Sequence, residues 1–147
     1  MSGTPAYVAA FEGLRPAVLD RLLEVRASLD HAFSRLGPDE ARELFEGVLL
    51  GLRTLLATGD HALHRGFVHG FVALREGEGL APDHAQRVLV AIGDVIVQVA
   101  RREHPDDVTL ILAINSAIRL TARMVNEVIA DELGRRSAQR RPTEAWR

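Results

Sequence analysis

Thr58-Gly59-Asp60, then Phe67-Val68-His69-Gly70-Phe71-Val72-Ala73-Leu74-Arg75, then Glu76-Gly77-Glu78-Gly79, then Val88-Leu89-Val90-Ala91-Ile92-Gly93-Asp94-Val95-Ile96-Val97-Gln98-Val99-Ala100: these four pieces decide the fold. Gly59 suits a left-handed helix C-cap and Asp60 an N-cap, so the chain turns sharply between two antiparallel helices. The apolar run after them has helical spacing and stops at the glycine-rich elbow of residues 77–79. The Val- and Ile-rich run 88–100 is too long between breaks for a strand, and no segment shows sustained strand alternation.

Working outward, every other break also pairs a terminator with a restart signal. Thr4-Pro5 opens a short helix to about Glu12, and Pro16 starts another, either separate from the first or fused to it. Val18, Leu19, Leu22, Leu23, Val25, Leu29, Phe33 and Leu36 recur at helical spacing until Gly37-Pro38. Pro38, Asp39 and Glu40 suit a new N-terminus, and Leu44, Val48, Leu49, Leu52, Leu55 and Leu56 form the apolar face behind it. Pro82-Asp83 restarts the chain after the elbow, and His104-Pro105-Asp106-Asp107 begins the last helix, expected to end near Leu133. The expectation is a single all-α domain of about five to six helices over residues 1–134, with 135–147, broken by Pro142, as a polar linker or tail.

Composition excludes several function classes. The 147 residues suffice for one core that buries roughly two-thirds of the unfolded surface. There is no Cys, hence no disulfide, thiolate metal site or Cys nucleophile, which fits an intracellular protein. All 18 basic residues are Arg, so Schiff-base chemistry and a phosphate-loop lysine are also excluded. A net charge of -2 and a pI of about 6.3 argue against a nucleic-acid partner. The start of the chain has no signal-peptide pattern, and the run 88–100 is too short to cross about 30 Å of hydrocarbon, so a cytoplasmic protein with no membrane contact is expected.

Few residues carry chemistry. Asp60, His61 and His64 share one helix face, yet no further ligand at fixed spacing completes a metal site, and as first-turn residues they are expected at the solvent-exposed surface. His69, among Phe67, Val68, Phe71 and Val72, is the one candidate axial ligand should haem bind, although no cofactor is expected. Asp94 lies in the most apolar helix, where a charge needs a partner such as Arg119 or Arg123. Together with Gln98, Asn115 and His69 it forms a candidate buried polar or ligand site. No nucleophile, oxyanion site or cofactor motif accompanies these groups, so an enzyme is not expected. Gly47, Gly51, Gly66, Gly70 and Gly93 fall inside helices, at about 1 kcal/mol each relative to Ala. Either close helix approach or space left for a ligand offsets that loss.

The helix over 88–100 is apolar almost all round, which places it at the centre of the bundle. The last helix exceeds one narrow stripe, so Leu110, Ile114, Ile118, Val125 and Ile129 are the candidate homodimer interface.

The run from Leu55 to Asp60, the segment Phe67 to Arg75 and Gly79-Leu80-Ala81-Pro82-Asp83 before an apolar helix together resemble the N-terminal sensor domain of RsbR-type stressosome proteins. The similarity extends over residues 18–133 and is one of helix lengths and apolar positions, with no catalytic signature. The resemblance implies a globin-like fold without haem, homodimerisation, and a non-enzymatic role in bacterial stress signalling. It also implies that the last helix passes a conformational signal to an output module, STAS-type or histidine kinase, in cis or in trans. The alternative is a haem- or small-ligand-binding globin-type sensor.

Overall fold

The computed structural model describes residues 4–29, 36–77 and 82–144. Five helices follow one another: α1 (Ala6–Leu29), α2 (Pro38–Thr58), α3 (His61–Gly77), α4 (Pro82–Glu103) and α5 (Val108–Glu144). Among the described residues there is no strand, and the chain is an all-α bundle. The two N-terminal helices suggested by Pro16 are one. Pro16 removes a hydrogen bond inside α1, but Val8, Phe11 and Leu14 before it share a buried face with Val18, Leu19 and Leu22 after it. Tertiary burial on both sides holds the helix through the proline.

The helix ends follow local chemistry. Pro38 occupies the first turn of α2 after an extended Gly37, with Asp39 and Glu40 beside the positive end of the helix dipole. Gly59 closes α2 at φ 64°, a left-handed value that favours glycine, and its N–H donates to the Leu55 carbonyl at 2.8 Å. Asp60 then caps α3 by accepting from the Leu63 N–H at 3.0 Å. Asp107 caps α5 in the same way, accepting from the Leu110 N–H at 3.0 Å. Phe33 and the elbow residues beyond Gly77 lie outside the described residues.

One core unites the helices. Phe45 and Leu52 from α2, Leu22 from α1, Leu89, Ile92 and Ile96 from α4, and Leu110, Ile114 and Met124 from α5 are its fully buried centre. The broadest contact is between α4 and α5, and α4 also packs on α1 and α3. Gly93 permits the α4–α5 approach: a Cβ there would stand 2.8 Å from Cγ2 of Ile118. Gly51 does the same for α2 and α3, since a Cβ would meet the Phe67 ring at 2.7 Å.

Two expectations are corrected. The run 88–100 is not surrounded on all sides, because Val90, Asp94, Gln98 and Arg101 form a solvent-facing stripe one side of α4 wide. The last helix does not end near Leu133 but continues to Glu144, through the segment expected to be a linker. Arg, Glu, Gln, Ala and Ser after Gly134 are compatible with a solvated helix, and Pro142 falls in its last turn.

Residues 108–135 are also long and apolar enough, by length and composition, to cross a membrane. Part of their apolar content is used in the bundle itself. Leu110, Ile114, Ala117, Met124, Val125 and Val128 are buried against the other helices, while Arg119, Arg123 and Glu127 face out.

Candidate functional site

The four residues expected to form a buried polar site do not do so. His69, Asp94 and Gln98 are exposed, and Asn115 is half-buried. Helical phase is the reason: Asp94 and Gln98 belong to the outer stripe of α4, and His69 lies outside the buried face Val68, Phe71 and Val72 of α3. Asp94 is therefore solvated, with no buried charge to compensate.

The buried imidazole of α3 is instead His64, expected at the surface but only 3% exposed. The Thr121 hydroxyl on α5 donates to the Ala117 carbonyl at 2.7 Å. Its oxygen is thereby left to accept from His64 Nε2–H, also at 2.7 Å. Nε2 therefore carries a proton in this bond, while Nδ1 has no hydrogen-bond partner of good geometry. Burial pushes the His64 pKa below the ordinary histidine value, and the neighbouring His61 adds to the effect; the Gly51 backbone opposes both. The ring stacks on Phe67 with centroids 5.4 Å apart, and Phe67 in turn stacks on Phe71 at 6.3 Å.

His64 is buried and His61 exposed, so the two imidazoles suggested by their spacing do not share one surface. No group of three or more His, Asp or Glu suited to a metal occurs among the described residues.

A half-open cavity of about 690 Å³ lies between α2 and α3. Leu44, Val48, Phe67 and Phe71 supply most of its apolar wall, and Glu40 and Glu43 stand at its edge. Among the described residues no imidazole lines it, and His69 is not part of its wall.

On α5, the candidate interface residues divide. Leu110, Ile114 and Val125 are buried within the chain's own core and are unavailable to a partner, whereas Ile118 and Ile129 are half-buried. The outward face is a different stripe: Val108, Leu112, Asn115, Arg119, Ala122, Asn126, Ile129 and Leu133, none of them buried. Their spacing alternates between four and three residues, the repeat of a coiled-coil seam. Val108, Leu112 and Leu133 are 63%, 60% and 51% exposed, high values for large apolar side chains. Beyond Glu132 every described side chain of α5 is exposed, so the helix leaves the globule there. Comparison with family descriptions, with curated proteins and with solved structures found no match to this chain.

Proposed function

We propose that this chain is a non-enzymatic, cytoplasmic signalling domain that pairs with a second copy of itself and transmits a conformational change along α5 to an output module. The observation that carries this reading is α5 itself. At 37 residues it is about 55 Å long, while a chain of this size has a radius of gyration of only roughly 15 Å. A helix rooted in the core by Leu110, Ile114 and Val125 and extended past the bundle is mechanically suited to carry a displacement outward.

The seam on its outer face supports the pairing. Val108, Leu112, Ala122, Ile129 and Leu133 offer apolar contact, and Asn115, Arg119 and Asn126 between them suit a seam in which polar positions fix register. The similarity of residues 18–133 to RsbR-type sensor domains points the same way, toward a haem-free globin-like member. In that setting the output module is STAS-type or a histidine kinase, in cis or in trans. Light scattering at tens of micromolar tests the pairing: the expected mass is twice 16.1 kDa, and a mass of 16.1 kDa contradicts it.

A further inference from the structure

The five glycines inside α2, α3 and α4 divide into two sets with different surroundings. Gly51 and Gly93 are pressed against Phe67 and Ile118, so close packing offsets the loss of helix propensity at those positions. At Gly47, Gly66 and Gly70 a Cβ would meet no atom within 4 Å. Close approach explains none of these three, nor Gly13 and Gly134 elsewhere in the bundle, but Gly47, Gly66 and Gly70 line the same cavity between α2 and α3. Each forgoes about 1 kcal/mol of helix propensity relative to Ala and leaves open volume on the cavity wall.

The volume, about 690 Å³, falls within the range of small-molecule sites, roughly 300–1,000 Å³. Among the described residues that line it, the charged ones are both acidic. Glu46, on the same helix, is engaged by Arg15 and Arg42, but Glu40 and Glu43 at the cavity edge make no ion pair or hydrogen bond with a described residue. The aromatic wall of Phe67 and Phe71 offers ring faces on which an apolar or aromatic body can pack.

We propose that the cavity between α2 and α3 binds a small hydrophobic amine, its aromatic or branched-aliphatic body against Phe67 and Phe71 and its ammonium toward Glu40 and Glu43. The site is independent of the oligomeric state and stands or falls separately from the pairing of α5.

The test uses 4-phenylbutylamine and its anionic counterpart 4-phenylbutyrate, titrated to millimolar concentration into the whole chain and followed by amide nuclear magnetic resonance. The amine is expected to bind saturably, shifting the Gly47, Gly66 and Gly70 amides, and to bind about threefold or more tighter than the carboxylate, the difference expected for a partly solvated ion pair. Gly66→Leu fills open space and improves helix propensity, so it is expected to fold and to abolish binding. Glu40→Gln with Glu43→Gln is expected to bring the two probes to similar affinity. The proposal is overturned if the amine does not shift the glycine amides, if folded Gly66→Leu binds it as the unaltered chain does, or if the carboxylate binds equally well.

Discussion

At the residue scale, the two sets of glycines should respond to alanine with opposite signs. Gly66→Ala meets no neighbour and gains helix propensity, so chemical denaturation should show it stabilised by about 1 kcal/mol. Gly51→Ala gains the same propensity but drives the Phe67 ring from its place between His64 and Phe71. Overpacking of this kind costs about 1–3 kcal/mol, and the net result should be a loss. Equal changes at the two positions would show that Phe67 yields freely. His64 adds a pH dependence. Folding lowers its proton affinity, so below the ordinary value of 6.5 the unfolded chain binds more protons than the folded one. Its contribution is complete above that pH and diminishes as the pH falls toward the lower folded value. Thermal melts from pH 7 to 5 should show a larger decline for the unaltered chain than for His64→Phe. Thr121→Val, which leaves Nε2–H buried without an acceptor, should lose about 1–3 kcal/mol at pH 7.

His64 was legible in principle. It stands four, seven and eight residues before Val68, Phe71 and Val72, in phase with the buried face of α3, and Thr121 falls four residues after Ala117 on the buried face of α5. Position in the first turn of its helix argued for exposure, and phase was the stronger determinant. The same test sorts the polar residues of α4: Arg87, Asp94, Gln98 and Arg101 recur on one outward face, so the apolar content around Asp94 says nothing about the side on which Asp94 itself lies. The cavity was not legible, because periodicity cannot distinguish a glycine against a ring from a glycine beside open space.

At the element scale, the breaks at Gly37-Pro38, Gly59-Asp60 and His104-Pro105 lie where local chemistry puts them, since cap, terminator and restart act within a few residues. The extent of α1 and α5 depended on longer-range effects. Burial on both sides carries α1 through Pro16, and α5 continues in a segment whose polarity alone suggested a tail. Surplus apolarity on α5 was visible as a total, but its division into a core face and an outer seam requires the orientation of α4. That division makes a prediction. Val125→Glu buries a charge in the core and should unfold the chain, whereas Leu112→Glu lies on the exposed seam and should leave helical content and melting largely unchanged while reducing the mass to 16.1 kDa. If Leu112→Glu remains at twice that mass, the seam is not the interface.

At the scale of the whole molecule, four helices support a fifth that leaves the globule. In a parallel pair, the seam would hold the two projecting ends together, so a small shift of α4 against α5 at Gly93 and Ile118 would reach whatever α5 contacts. The absence of Cys allows a direct measurement, because a single introduced thiol is the only one in the chain. Leu133→Cys places it on the seam, and Asp131→Cys places it nearly opposite on the same turn of α5. Disulfides require Cα atoms about 4.4–6.8 Å apart, within reach of symmetric seam positions and beyond that of the outer face. Under mild oxidation Leu133→Cys is predicted to form a covalent dimer on a denaturing gel, with Asp131→Cys remaining monomeric. A monomeric Leu133→Cys, or equal cross-linking at both positions, would contradict a paired α5 as the path of the signal.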